Sequence, residues 1–149
     1  MFFSLRQGNF AEFFAAFFIG AAVYPVIELM WRGYTHLSMV LLGGICMLSL
    51  HFINMSFEDC NIFLKAGLGA LMITAWELLF GAVLNLALGL DVWDYSSHKF
   101  NLFGQICAPY TFFWFLLCFP AYFVSGYMHV LLEKIKSVEK KKKAEGVQN

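Results

Sequence analysis

Four stretches of this chain are apolar and long enough to cross a bilayer, and between them they take up most of its length. Drawn from the gaps between charges, they run Asn9 to Trp31, Leu37 to Met55, Ala66 to Leu90 and Ile106 to Leu132. A helix needs about 20 apolar residues to span a hydrocarbon core ~30 Å thick, and lipid tolerates only segments that satisfy their own backbone hydrogen bonds. The 149 residues are 60% hydrophobic and 13% charged, outside the range of a soluble domain of this size. The pattern predicts an all-α polytopic membrane protein, a bundle of four transmembrane helices. Residues 1–133 are expected to form the membrane domain and residues 134–149 a Lys-rich cytoplasmic tail.

The stretch from Phe100 to Leu132 carries no Asp, Glu, Lys or Arg and exceeds what one crossing needs. Its first part is expected to lie at the interface or re-enter the bundle before the last helix, with Pro109 and Pro120 breaking or bending the chain. Pro25 falls inside the first stretch and is a candidate kink. Arg6 precedes apolar sequence, yet Glu12 interrupts the entry and no compact signal-peptide core with a small-residue cleavage site follows, so this segment is expected to be retained as a membrane helix. Cys46, Cys60, Cys107 and Cys118 form no C-x-x-C pair and are read as free thiols.

Orientation follows from the basic residues. With four crossings the two ends share a side, and that side collects Arg6, Lys65 and the lysines at 134, 136 and 140–143, against Arg32 and Lys99 on the other. The positive-inside rule then places the protein in the cell membrane with both termini cytoplasmic. The sequences Trp31-Arg32-Gly33-Tyr34-Thr35-His36 and Asp91-Val92-Trp93-Asp94-Tyr95-Ser96-Ser97-His98 meet on the outer face. Their Trp and Tyr rings serve equally as an interfacial belt.

On the third stretch, Gly67, Ala70, Thr74, Glu77, Gly81 and Asn85 recur at intervals of three or four and share one helical face. Small residues there permit close helix approach, and polar ones hydrogen-bond across it. Glu77 stands near the bilayer midplane, where an ionisable group costs about 2.5 kcal/mol or more. It is either a buried structural hydrogen-bonding group or part of a substrate, ion or proton path. Glu28 and Arg32, four apart with the acid first, are set for a helical ion pair, or for an arginine offered to an anionic group. His36 and His98 have Asp91 and Asp94 nearby, but no metal-ligand spacing occurs. There is no phosphate-binding loop of the G-x-x-x-x-G-K-[ST] type, and no cofactor is expected.

The residues Tyr24-Pro25, Glu28, Trp31 to His36, Ser38-Met39 and Gly43-Gly44 resemble a family of small bacterial membrane proteins classed as permease-like ABC-transporter type IV. The resemblance continues through Glu77, Gly81, Asn85-Leu86, Gly89, Val92 to Ser96, Asn101-Leu102, Gly104 to Cys107 and Pro109, covering about Tyr24 to Trp114. It departs at Leu37, where the family often has an aromatic residue. The Phe-rich start and the Lys-rich tail lie outside it. The resemblance implies a membrane component of transport with an unidentified substrate.

The reading is a permease or carrier component for a small solute or a lipid-linked group. Glu77 and Asn85 would serve inside the bundle, and Glu28, Arg32, Trp93 and Asp94 in an outer vestibule. Arg32 would meet an anion, Glu77 would bind or carry protons, and Trp31, Tyr34, His36 and Tyr95 would complete an outer-face motif. The alternative is a non-transport accessory, assembly or sensory subunit docking a larger membrane partner. An enzyme acting on lipid-linked material, with Asp94 or Glu28 as acid or base and His36 or His98 assisting, is the least favoured class, because no nucleophile and base are paired. Expected partners are membrane lipids, a second copy through the small-residue face, and an ATPase or larger membrane protein. No nucleic acid is expected.

Overall fold

Each apolar stretch becomes a helix, and the ends of the helices are set by local chemistry. The computed structural model describes residues 10–146, so Arg6 and its part in the orientation lie outside the described residues. Helix α1 runs Phe10–Arg32, and Gly33 ends it in the left-handed conformation (φ 77°) while its N–H bonds to the Leu29 carbonyl, a common helix stop. Helix α2, Leu37–Ser56, starts at His36, whose ring accepts from the Ser38 N–H. Helix α3, Ile62–Gly81, starts at Asn61, whose side chain accepts from the Phe63 N–H. A wider π-turn, Ala82–Ala87, continues it. After a loop and a short antiparallel hairpin, β1 (Asn101–Leu102) and β2 (Ile106–Cys107), helix α4 runs Ala108–Gly146.

These are four helices long and apolar enough to cross a membrane. Three points differ from the sequence reading. Helix α3 begins four residues earlier, because Lys65 is not a loop charge: it is 8% exposed, and its ammonium donates to Asn54 Oδ1 at 3.0 Å. The segment before the last helix is an irregular loop with a hairpin. Pro109 and Pro120 do not break the last helix: Pro109 sits in its first turn, where a missing N–H costs nothing, and α4 stays helical through Pro120 and on past Leu132 through the lysine run, where Ile135 and Val138 between the charges suggest an emerging helix. It stays helical through Pro25 as well.

Helices α1 and α2 pack tightly at Gly20 and Gly43. A Cβ on Gly43 would stand 2.5 Å from the Gly20 carbonyl oxygen, so the absence of side chains there lets the backbones meet. Leu42, Cys46, Leu50, Ala66, Ala70, Ile73, Trp114 and Cys118 form the core among α2, α3 and α4. The α3 stripe faces into this core: Ala70, Glu77, Gly81 and Asn85 are buried, and Thr74 bonds to Thr111 of α4 at 3.1 Å. The face on which self-association was expected is thus largely used within one chain. All four cysteines are free.

Candidate functional site

The loop between α3 and α4 takes its shape from Asn85. Its amide donates to the Trp93 carbonyl at 2.9 Å and to Gln105 Oε1 at 2.8 Å, and its oxygen accepts from the Val92 N–H at 2.7 Å. Trp93 Nε1 in turn donates to the Gln105 carbonyl at 2.9 Å. Gly81 makes room for this arrangement, since a Cβ there would stand 2.5 Å from Gln105 Oε1. Tight turns place Asp91, Phe100 and Phe103 at positive φ, a conformation uncommon for bulky residues; around Phe100, Asn101 donates to the Ser96 and His98 carbonyls.

Arg32 fastens this loop to α1. It donates to Glu28 at 2.5 Å and to the Val92 carbonyl at 3.1 Å, and its guanidinium lies 4.6 Å from the centre of the Tyr34 ring. Thr35 donates to the other Glu28 oxygen. Arg32 is therefore committed to a latch, with its Nε buried and lacking a partner.

Latch, loop and the first turns of α4 enclose a cavity of about 490 Å³. Its walls are largely aromatic. Tyr95 stacks on Tyr110 at 4.4 Å, Tyr24 on Trp114 at 5.6 Å, and Trp31 Nε1 donates to the Tyr110 hydroxyl at 3.1 Å. The charged lining consists of Glu28, Arg32 and Asp94, with His98 beside them. Hydrogen bonds from the Ser96 hydroxyl and N–H hold the exposed Asp94 carboxyl below the usual aspartate range. Burial, reinforced by the nearby Glu77 carboxylate, pushes the Tyr95 hydroxyl well above the ordinary tyrosine value.

Glu77 lies behind this wall, 2% exposed. Trp114 Nε1 donates to one of its oxygens at 2.7 Å and the Tyr24 hydroxyl faces the other at 3.5 Å. Both donors also line the cavity, so Glu77 touches it through the aromatic side chains that form its floor. Among the described residues no group of His, Cys, Asp and Glu is placed to hold a metal ion.

Of the residues singled out from sequence, Glu28, Trp31, Arg32, Tyr34, Trp93, Asp94 and Tyr95 line one cavity. Glu77 lies one side chain behind it, Asn85 braces the loop, and His36 caps α2 without lining the cavity. The spacing did not disclose Tyr24, Tyr110 or Trp114. It also missed a second polar group at the opposite end of the bundle. There Glu12, 1% exposed, meets His129 Nδ1 at 2.8 Å, His51 Nε2 at 3.7 Å and Lys136 Nζ at 3.4 Å. His51 continues to Ser125 at 2.8 Å, and Asn54 links Ser125 to Lys65. A histidine inside an apolar helix was the available signal, but the partners stand far apart in the chain.

The model of a family described as "Putative ABC-transporter type IV" matches residues 13–145. No solved structure matches the fold.

Proposed function

The chain belongs to this ABC-transporter-related membrane family, and from that membership we propose that it is a permease or carrier component that binds its ligand in the aromatic cavity between α1, α4 and the long loop. The observation that carries the reading is the buried Glu77, bonded to Trp114 and Tyr24, which themselves form part of the cavity wall. A carboxylate kept in the bilayer at a cost is most readily explained by binding or by passing protons, and here it is one side chain away from the cavity. Trp93, Asp94, Tyr95 and Glu28 would contact the ligand, and Arg32 and Asn85 would hold the walls in place.

The protein would reside in a bacterial cell membrane with the cavity opening outward and both termini in the cytoplasm, in line with the lysines at the end of α4. Phe100 and Phe103, 86% and 73% exposed on the hairpin side of the loop, would dip into the interface and give the interfacial segment expected before α4. The residues after Leu132 would form a basic helical tail against anionic lipid. Four helices enclose little, so transport would call for an ATPase or larger membrane partner to supply energy and further helices. A second copy of the chain would have to use a face other than the α3 stripe.

The test is native mass spectrometry of the protein released gently from its own membrane. The expected result is a retained small molecule or lipid that is lost in Glu77→Gln while the helical content is unchanged. A stoichiometric protein partner with no ligand in either form would instead support the accessory or sensory reading.

A further inference from the structure

Beneath the aromatic cavity lies a second one, of about 320 Å³, whose lining is almost wholly hydrocarbon. The two share Tyr24 and Ile27 of α1 with Trp114 and Leu117 of α4, so they adjoin along the seam where α1 packs sparsely against α4. Together they follow α1 from Arg32 to Gly20, about 18 Å at 1.5 Å per residue. That is close to the hydrocarbon depth of one leaflet, half of ~30 Å.

The upper part has a definite electrostatic character. Glu28 and Asp94 supply two carboxylates against the single Arg32 guanidinium, and Arg32 is already paired within the wall. Stacked Tyr and Trp faces surround them. Aromatic faces beside carboxylates favour a cation, as in sites for quaternary ammonium groups. A free anion would meet excess negative charge and an arginine whose two terminal nitrogens are already paired.

Resting on the functional reading above, we propose that the ligand is a single-chain amphiphile with an ammonium head, the head seated among Tyr24, Tyr95, Tyr110 and Asp94 and the chain lying in the apolar cavity between α1 and α4. The sparse α1–α4 seam admits it sideways from the lipid.

Tryptophan emission tests this directly, because Trp31, Trp93 and Trp114 line the head cavity, whereas Trp76 is bonded to Ser49 elsewhere. The full chain in maltoside micelles is titrated with an alkyltrimethylammonium brominated on its chain, and tetramethylammonium and an alkyl sulfonate of the same chain length are read as competitors that relieve its quenching. Saturable quenching by the alkylammonium is expected, weakened about tenfold in Asp94→Asn, the size of one cation contact. Ala121→Phe, which fills the apolar cavity, should weaken the alkylammonium similarly while leaving tetramethylammonium unchanged. Equal binding of the sulfonate, equal binding of tetramethylammonium, or quenching that never saturates would each overturn the proposal. Native mass spectrometry showing a hydrophilic solute lost in Glu77→Gln would then leave the broader transport reading in place.

Discussion

Asn85 uses both amide hydrogens and its oxygen on the loop, so its replacement tests how the cavity is held. Asn85→Ala leaves the Val92 N–H and the Trp93 carbonyl without those partners, and each buried group so stranded costs about 1–3 kcal/mol. A loss of about 2–4 kcal/mol is expected on that basis, read as a lower melting temperature and as faster hydrogen exchange across residues 88–107 with α1 and α2 unaffected. Unchanged exchange in the loop would show that it is held by other means. Asp94 gives a pH dependence of known sign. Its folded value is depressed by Ser96, so the stabilisation is present above the unfolded aspartate value, about 3.9, and is lost as pH falls through the lower folded one. The Ser96 amide resonance should therefore stay constant from neutral pH down to that region and shift only below it; a shift near pH 6 would contradict the assignment. Sequence spacing showed that Asn85 and Glu77 share a face, but it carried no information about what that face meets. A polar residue inside a helix looks the same whether it contacts a ligand or its own chain.

At the scale of elements, the tightest joint is α1 against α2. Gly43→Val would place side-chain atoms where the Gly20 carbonyl and the Tyr24 Cβ now stand, and overpacking of this kind costs typically about 1–3 kcal/mol. Because Tyr24 also lines the cavity, the same change should weaken ligand retention along with thermal stability, whereas Gly67→Val, with no atom within 4 Å of the added Cβ, should leave both intact. Thermal unfolding of the two variants side by side distinguishes a local joint from a general intolerance of bulk. The four long apolar helices were legible because a hydrocarbon core sets both the length and the composition of segments able to cross it. The start of α3 was misplaced because Lys65 reads as a surface charge until Asn54 is seen beside it. The run of α4 beyond Leu132 was legible in Ile135 and Val138, which keep apolar residues between its charges. The hairpin was missed because two-residue strands leave no alternation to detect.

For the whole molecule, the two polar groups lie at opposite ends of one bundle, and the topology determines which end faces outward. In a chain with its native cysteines replaced, Ser97→Cys should react with a membrane-impermeant thiol reagent on intact cells. Lys141→Cys should react only after permeabilisation; the reverse pattern would invert the orientation and with it the side from which the cavity fills. The four long apolar helices were readable from hydropathy, but the Glu12, His51 and His129 meeting was not, since it joins three helices that only folding brings together.

Helix α4 has 39 residues, a length of about 58 Å at 1.5 Å per residue, nearly twice the ~30 Å hydrocarbon depth. Tyr110, Phe113 and Trp114 near its beginning are cavity walls, and His129 and Lys136 further along are clasped by Glu12 of α1. One unbroken rod therefore carries both the aromatic wall near its beginning and the Glu12 clasp further along, and its lysines stand beyond that clasp, so the two polar ends of the bundle share a single backbone.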